Sequence, residues 1–507
     1  MNTFQKILGL FGITTIPKPV RNSWLPSFLK RGYAAANINR ITNDWRPSST
    51  SADYDIKAAL VSIRDKARDL CQNNDYGRKF LRMCRKNIPG AYGFQLHMKI
   101  KMKSGELDTP LNNHIKEQFK EWGRREFCTV TGQLSWRQAQ HIALMHLVRD
   151  GELLVRKIYQ KSSKFGYKMQ ILEPDLLDEK FNEKLSNGNM VRMGVEIDAW
   201  RKPIAYHLKV VNPETELYSF SQGTGERERI LARDIYHYFD RERSFQTRGI
   251  SWLAAGMLRL RMLSAYEEAA LINARIGASK MGFFYDESET TASYQGTEKD
   301  SSGNEIVGVE PGQFEDIGRK RFTPFNPDFP DAQHGPFVES MGRGISSGFD
   351  VSYHTLFNDL TSVNYSSIRH GMLDERETWT MMQEDFIEGF LELVFRDWLE
   401  MSYLKGAVIL PSEDWEIYNI PYFIGKRWGW VDPESDMNAK RGELDSGMTS
   451  LTRVCAERGD DLEEILAEIK DEKMLFQKYG VTVNYAGTAK PVVTAEVKPT
   501  NGKSVSA

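Results

Sequence analysis

The amino-acid sequence predicts an α+β fold, on the basis of three patterns along its 507 residues. Apolar side chains recur every three or four positions in 54–87, the spacing of an amphipathic helix. Apolar and polar side chains alternate in 195–210, the period of a half-buried strand. A third stretch, 252–276, is apolar around nearly the whole surface of a helix. Helices therefore precede and follow a group of strands, an order typical of α+β proteins.

The apolar patterns between residues 54 and 240 predict that helices come first and strands follow. The helical patterns cover 54–87 and 111–149, and strands are expected across 150–240. The polar link at 198–203 separates two alternating stretches and is suited to a hairpin turn. Such strands present one apolar face, which the preceding helices can cover.

The segment 252–276 is the most unusual feature of the sequence. As a helix it would be about 37 Å long, at 1.5 Å per residue. Its side chains are apolar on most sides, so several neighbouring elements must cover it. Either the helix lies at the centre of a large domain or neighbouring subunits of an oligomer cover it, and we expect the second. One narrow polar stripe interrupts the apolar surface, formed by Arg261, Ser264, Glu268 and Arg275.

The second half of the chain alternates between polar and helical segments. Residues 286–305 have no aliphatic side chain larger than alanine, which predicts a polar, mobile loop. A strong helical pattern covers 366–405, and Ser366 or Ser367 could cap its start. Residues 481–507 lack apolar periodicity, so we expect a disordered tail.

The charge of the chain is nearly balanced but unevenly distributed. Lys and Arg number 67 and Asp and Glu 69, a formal net charge of -2. Proteins that hold DNA phosphates tightly usually have a basic excess, so tight static DNA binding is disfavoured. Residues 1–52 nevertheless form a basic arm, with Asp44 as the one acid among its first 50 residues. Residues 432–473 have thirteen acidic and six basic side chains, which indicates either different partners for the two ends or two solvated faces.

The cysteines and the apolar segments exclude several classes of protein. No two cysteines have the C-x-x-C spacing of a metal or redox motif, so reduced thiols are expected. The cysteines are Cys71, Cys84, Cys128 and Cys455. No apolar run approaches the roughly 20 residues of a membrane span, so no membrane partner is expected.

Motifs for catalysis or cofactors are weak. No phosphate loop with the spacing G-x-x-x-x-G-K-[ST] occurs, and no pattern for a cofactor or metal site emerges. The segment 344–348 does match the G-x-S-x-G nucleophile elbow, which requires a strand before the serine and a helix after it. An α/β hydrolase that uses Ser346 is therefore one alternative, and a DNA-binding protein of another kind is a second.

The histidines are better explained by structure than by metal binding. His141 and His146 are five residues apart, so a helix directs them to different faces. His207 and His237 fall on expected strands, where a hydrogen-bonded structural role is the simpler interpretation.

Several blocks of the sequence, in this order and spacing, are similar to the lambda-type portal family of tailed bacteriophages. The resemblance covers about 33–480. The blocks are Arg64-x-x-Ala67-Arg68-Asp69-Leu70, Asn87-Ile88-Pro89-Gly90, Glu173-Pro174-Asp175-Leu176-Leu177, Gly194-Val195-Glu196-x-Asp198, Tyr206-His207, Asp234-Ile235-Tyr236-His237, Gln246-Thr247-Arg248-Gly249-Ile250, Asn364-Tyr365-Ser366-Ser367-x-Arg369, Gly447-x-x-Ser450 and Glu457-x-Gly459-Asp460-Asp461-Leu462.

The resemblance implies a portal fold assembled as a ring of about twelve subunits, without enzymatic activity of its own. It implies a mixed α/β wing, long apolar stem helices, a clip and a helical crown. The implied segments are an N-terminal arm at 1–52, wing at 53–250, stem helix at 251–280, clip at 281–330, returning stem helix at 331–350, channel loop region at 351–365, wing helix and closing segment at 366–433, acidic crown at 434–480 and tail at 481–507.

The resemblance also implies partners and a location. The ring would occupy one capsid vertex of the virion, after assembly in the host cytoplasm, and double-stranded DNA would pass through it during packaging and ejection. The terminase large subunit, a head–tail connector protein, and the major capsid and scaffolding proteins would dock on it. A nearly neutral or acidic channel wall would keep phosphates hydrated and mobile. The candidate channel residues are Asn358, Asp359, Thr361, Ser362, Asn364 and Arg369.

Overall fold

The computed structural model divides the chain into two units, Met1–Ser51 and Ala52–Ala507. Almost all described residues belong to the second unit. The structure describes residues 49–210, 227–278, 282–285, 298–299, 305–306, 321–324, 333–361, 364–429, 433–458, 460 and 462–480. Most of the predicted basic arm and the whole predicted tail, 481–507, therefore lie outside the described residues.

The segments predicted to form the wing, 53–250 and 366–433, keep that name below, and the first of them begins with helices, as the apolar spacing predicts. Asn74 separates the first two, because its side chain accepts a hydrogen bond from the Gly77 backbone and caps the second helix. Ser135 and Gln138 form a capping box at the start of another helix. These helices are α1 (Ala52–Asn73), α2 (Asp75–Asn87), α3 (Thr109–Trp122), α4 (Arg125–Cys128) and α5 (Trp136–Met145), which continues as a π-helical turn, His146–Asp150.

Two antiparallel sheets follow in the region predicted to be strands. A three-stranded sheet has the order β3-β2-β9, with β2 (Leu153–Tyr159) between β3 (Tyr167–Leu172) and β9 (Ile235–Tyr238). A five-stranded sheet has the order β4-β5-β6-β7-β8. Its strands are β4 (Glu183–Lys184), β5 (Met190–Arg192), β6 (Val195–Ile197), β7 (Pro203–Lys209) and β8 (Arg227–Leu231).

The hairpin predicted at 198–203 is the link between β6 and β7. Asp198 organises it, because one carboxylate oxygen accepts hydrogen bonds from the backbones of Trp200 and Lys202. Arg201 has φ 65°, in the left-handed region. The polar composition of this link therefore corresponds to a tight turn, as the sequence predicts.

The predicted stem is a pair of helices, α6 (Ala254–Ala278) and α7 (His334–Gly348). Short antiparallel strands occur between them: β10 (Gly282–Tyr285) pairs with β13 (Arg321–Pro324), and β11 (Glu298–Lys299) pairs with β12 (Glu305–Ile306). The segment 286–305 is thus not wholly the loop that its polar composition predicts, because Lys299 and Glu305 are paired strand residues. The rest of that segment lies outside the described residues, apart from Glu298.

The last part of the wing contributes to an aromatic core. Phe119 of α3 lies 4.9 Å from Trp398 and 6.2 Å from Phe423, measured between ring centroids, and all three are buried. These contacts join segments almost 300 residues apart in sequence. The elements are β1 (Gln95–Met98), α8 (Tyr353–Phe357), α9 (Tyr365–Phe386), a π-helical turn (Ile387–Leu391), α10 (Glu392–Leu404) and β14 (Pro421–Ile424), which pairs with β1.

The start of α9 differs from the sequence-based expectation. The helix begins at Tyr365, so Ser366 and Ser367 lie inside its first turn and neither is the capping residue. The Ile368 backbone N–H instead donates to the carbonyl of Asn364, which precedes the helix. Helix spacing alone cannot distinguish adjacent polar residues at a helix start.

The acidic segment 434–480 is helical in its described residues. It comprises α11 (Pro433–Asp445), α12 (Leu451–Arg458) and α13 (Leu462–Tyr479). Among the described helices, none combines the length and apolar character needed to cross a membrane.

Candidate functional site

Most of the predicted channel residues lie in the link between α8 and α9, whereas Arg369 lies within α9. Ser352 caps α8 by accepting a hydrogen bond from the Thr355 backbone, and the helix ends at Asn358, which has φ 57°. Asn358 accepts a hydrogen bond of 2.5 Å from the ammonium of Lys79 in α2. The link therefore starts at a fixed position against the helical part of the wing.

Asp359 organises the exposed part of this link. Its carboxylate accepts hydrogen bonds from the backbone and hydroxyl of Thr361, at 3.0 and 2.6 Å, and from the hydroxyl of Tyr353 at 3.0 Å. The hydrogen bonds from Thr361 and then Tyr353 lower the pKa of Asp359 from its ordinary value. The link therefore presents a stable negative charge to solvent at neutral pH.

The other candidate channel residues are less closely grouped. Thr361 and Asn364 are exposed, whereas Ser362 lies outside the described residues. The guanidinium of Arg369 donates to Asp436 of α11 at 2.7 Å. Arg369 therefore joins the wing to the acidic helical segment, and in this conformation its charge is already partnered.

Aromatic packing holds α8 beneath the link. The ring of Phe357 stacks on Tyr353 at 5.2 Å and on Tyr76 of α2 at 4.2 Å, between ring centroids. Gly342 of α7 makes room for these rings, since a Cβ there would lie 2.8 Å from Tyr353 and 3.0 Å from Phe357. Because α8 packs against both α2 and α7, the position of the link depends on both helices.

The exposed surface of α6 contains a continuous apolar stripe, which we call the seam. Its members recur at alternating spacings of three and four residues, the heptad pattern of helices that pack side by side. Leu258, Met262 and Ile272 are 66%, 55% and 49% exposed, unusual fractions for such side chains in a folded chain. The seam consists of Ala255, Leu258, Met262, Ala265, Ala269 and Ile272.

Of the four residues in the predicted polar stripe of this helix, Ser264 contacts other parts of the chain, whereas the other three are exposed. The Ser264 hydroxyl accepts a hydrogen bond of 2.6 Å from the Asn74 side chain and donates to the Leu260 carbonyl. Arg261, Glu268 and Arg275 are exposed. Ser264 therefore fixes α6 to the wing, while the three charged residues lie at the solvent surface.

Close packing of α6 and α7 explains the apparent nucleophile elbow. A Cβ on Gly348 would lie 3.1 Å from the backbone nitrogen of Gly256, and one on Gly344 would lie 2.0 Å from the Arg259 guanidinium. Ser346 is buried in the last turn of α7, with helix rather than strand before it. The motif is therefore a helix-packing motif, and the geometry that a hydrolase needs at Ser346 is absent.

Several blocks of the family resemblance meet in one buried ion network. The Glu152 carboxylate accepts hydrogen bonds from Arg64 at 2.9 Å, from the Arg248 Nε at 2.8 Å and from His237 at 2.9 Å. Burial alone would raise the pKa of Glu152, but the charge and hydrogen bonds of Arg248, together with His237, outweigh it and hold that pKa far below its ordinary value. Burial also lowers the pKa of His237, so it serves as a neutral structural histidine.

A second carboxylate extends this network toward α1. Asp150 is buried and accepts hydrogen bonds from Arg68 at 2.8 Å and from Arg149. Asp175 pairs with both Arg64 and Arg68. The blocks of the family resemblance include Arg64, Arg68, Arg248 and Asp175 but not Arg149, Asp150 or Glu152. The charged residues within 149–152, where a helical pattern changes to a strand, were the signal that could have identified these carboxylates.

A smaller network supports the five-stranded sheet. Buried Glu196 accepts hydrogen bonds from Arg229 at 2.7 Å and Asn189 at 2.7 Å, and its carboxylate lies 3.3 Å from His207. His207 therefore has a structural partner, as the sequence predicts for a strand histidine. Within the described part of the chain, no three His, Cys, Asp or Glu side chains are grouped to hold a metal ion.

Comparison with known protein families identifies phage portal proteins as similar to this chain. The model of the phage portal proteins of the lambda family matches residues 39–383. The probable portal protein of Halomonas phage phiHAP-1 is 31% identical over 480 residues, which cover 93% of this chain and 92% of that protein. Portal protein B of Escherichia phage lambda is 22% identical over 480 residues, covering 85% and 86% of the two chains.

Among solved structures, chains of gene transfer agent particles show a partial likeness to this chain. A chain from the virion of the native particle has a TM-score of 0.41 at 14% identity, covering 79% of this chain and 93% of that one. A chain from the particle's neck, computed with C12 symmetry, has a TM-score of 0.39 at 12% identity, covering 80% and 98%.

Proposed function

Because this chain belongs to the lambda family of phage portal proteins, we propose that it forms a closed homo-oligomeric ring of about twelve subunits at one capsid vertex. Double-stranded DNA would enter and leave the capsid through the centre of that ring. The observation that carries this proposal is the exposed apolar seam of α6. No element of the described part of the chain covers this heptad stripe, and such a stripe is suited to packing against a second helix.

The composition of the seam favours close contact with a second copy. Ala255, Ala265 and Ala269 are small enough to leave holes for side chains on a different face of the neighbouring copy, and Leu258, Met262 and Ile272 are large enough to be buried against that face. Full burial of a Leu, Met or Ile side chain contributes about 1.5–3 kcal/mol. A ring repeats this contact at every interface, so even a modest contribution per subunit stabilises the whole assembly.

The link between α8 and α9 is the segment we propose to line the DNA path. Its exposed described side chains are the short polar Asn358, Thr361 and Asn364 and one apolar residue, Leu360, and Asp359 adds a negative charge. Such a surface contacts a passing duplex without forming the ion pairs that would retain its phosphates. The hydrogen bonds that Lys79 donates to Asn358 and that Tyr353 donates to Asp359 keep the link in one conformation.

The remaining parts of the proposal concern partners and location. We assign the segment 281–330 to the clip, where the terminase large subunit and then a head–tail connector would dock. The wing and the crown would contact the major capsid and scaffolding proteins. The terminase would supply ATP hydrolysis, since the chain has no phosphate loop. The protein would assemble in the host cytoplasm and remain in the virion.

Substitution of Met262 tests the role of the seam. Twelve copies of 58.2 kDa make about 698 kDa, which light scattering separates readily from a monomer. Met262→Glu should abolish rings, because each interface would bury an unpaired carboxylate. Met262→Leu should preserve rings. Met102→Glu is the matched control, since Met102 is 43% exposed and lies outside the seam. Rings of undiminished yield from Met262→Glu would exclude the seam as the subunit contact.

Deletion of residues 358–363 tests the DNA path. The variant should form rings and capsids of normal size, but the length of packaged DNA per particle should fall sharply. Inserting two lysines after Thr361 should also impair packaging, because added cations hold phosphates. Two serines inserted at the same place are the control for length. Normal packaging by both the deletion and the lysine variant would show that this link does not act on DNA.

A further inference from the structure

A cavity lined by arginines lies on one side of α2, away from the seam. It has a volume of about 570 Å³ and lies between α1, α2 and the end of α5. Five guanidinium groups line it, together with one carboxylate, Glu173. The arginines are Arg68, Arg78, Arg82, Arg85 and Arg149.

Three of these arginines have no carboxylate partner. Arg68 and Arg149 are paired with Asp150, so their charge is compensated. Within the described part of the chain, neither Arg78 nor Arg82 forms an ion pair, and both are exposed. Arg85 donates to the ring of His141, and burial and then Arg85 itself lower the pKa of that histidine to about 4. A neutral ring orients the guanidinium but leaves its positive charge uncompensated.

An acidic cavity lies on the other side of α2. It has a volume of about 300 Å³ and an apolar floor that includes Phe80, Phe349 and Met382. No described lysine or arginine forms an ion pair with any of its carboxylates. Burial, and then repulsion by Asp240 and Glu388, raise the pKa of Asp385 at its edge. The acidic residues that line it are Asp240, Glu242, Asp350 and Asp385.

The two cavities face different directions because of the geometry of one helix. Phe80 points into the acidic cavity, where its ring stacks on Phe349 at 4.7 Å. At about 100° per residue, Arg78 and Arg82 project from α2 roughly 160° from Phe80. Ala255, which begins the seam, also lines the acidic cavity. The acidic cavity is therefore continuous with the surface to which we assign the subunit contact.

We propose that the exposed arginines of α2 in one copy enter the acidic cavity of the next copy, and that this contact repeats around the ring. The inference rests on the proposed ring and adds a second, ionic part to its interface. A ring contact is head to tail, so it joins two different surfaces on opposite sides of one subunit. The basic face of α2 and the acidic cavity have the opposite charges and the opposed directions that such a contact needs.

Exchange of charges between Arg82 and Asp385 tests the contact in the full-length protein. Arg82→Glu and Asp385→Arg should each reduce the fraction of protein in rings about ten-fold or more, because each creates like charges across the interface. The double variant should restore rings to near the wild-type fraction, because every interface regains one opposite pair. Arg125→Glu is the matched control, since Arg125 is exposed and outside both cavities.

Circular dichroism on each variant separates assembly from folding. Neither Arg82 nor Asp385 has an ion-pair partner within the described part of the chain, so the single variants should fold. If the wild type forms rings and both single variants give unchanged ring yields, this inference is overturned, whereas the proposed ring still stands. Failure of the double variant to recover would also overturn it. A wild-type protein that is monomeric would instead remove the proposed function, and this contact with it.

Discussion

Replacing Glu152 with glutamine should destabilise the wing more than any exposed ion-pair substitution. The carboxylate contacts the guanidinium groups of Arg64 and Arg248, and both arginines are almost completely buried. At an effective dielectric constant of about 20, each attraction at 4 Å is worth about 4 kcal/mol. Relief of the buried carboxylate's desolvation offsets part of that loss. Removal of one partner from a buried ion pair therefore costs about 3–5 kcal/mol.

The free energy of unfolding in urea, followed by tryptophan fluorescence, measures this effect. Glu228→Gln is the matched control, because Glu228 pairs with Arg156 at 2.7 Å on the protein surface. Exposed pairs contribute about 0.2–1 kcal/mol, so this variant should differ little from the wild type. If Glu152→Gln cost no more than Glu228→Gln, the buried network would not be what holds the helices of the wing to its sheets.

Three further predictions concern packing, pH and the tail. Gly256→Ala should lower the melting temperature, because its Cβ would lie 2.5 Å from the Phe349 ring. Gly371→Ala is the control and should raise the melting temperature, because Gly371 lies in α9 with open space around it. Equal shifts would contradict close packing of α6 and α7. The pKa of His141 is lowered to about 4 and that of His237 is also lowered, so both rings bind protons less readily in the folded than in the unfolded protein. Stability should therefore be full above pH 6.5 and fall as the pH decreases below it. A melting temperature that is constant from pH 7.5 to 5 would refute this. Truncation after Gly480 should leave ring formation intact by negative-stain microscopy, and monomers or aggregates would show that the tail is structural.

Local patterns in the sequence were sufficient to predict several elements of the fold. The apolar spacing at 54–87 corresponds to α1 and α2, and the alternation at 195–210 corresponds to β6 and β7. Helical and strand periods depend on neighbours a few residues apart, so one chain reveals them. The boundary of α9 was wrong by one or two residues because Asn364, Ser366 and Ser367 are all plausible capping residues.

Contacts between distant segments could not be predicted in the same way. The sequence shows that α6 is apolar on most sides, but not which side the wing covers and which side remains as the seam. That division depends on Ser264, whose partner Asn74 is 190 residues away. Similarly, nothing near Arg64 indicates that Glu152 will lie against it. Such pairings follow from the three-dimensional fold and have no local signal.

The residues that make this chain resemble its family are mostly not the residues that we propose to act on DNA or on other subunits. Arg64, Glu196 and Arg248 take part in buried networks, where a change of charge has a large cost. The seam and the link after α8 need only apolar or short polar side chains of suitable size, and many sequences satisfy that requirement. A channel that passes DNA of any sequence needs no base-specific contact, so its wall has few strict residue requirements. In this protein, therefore, sequence motifs identify the scaffold, and function has to be inferred from the exposed surfaces that the scaffold positions.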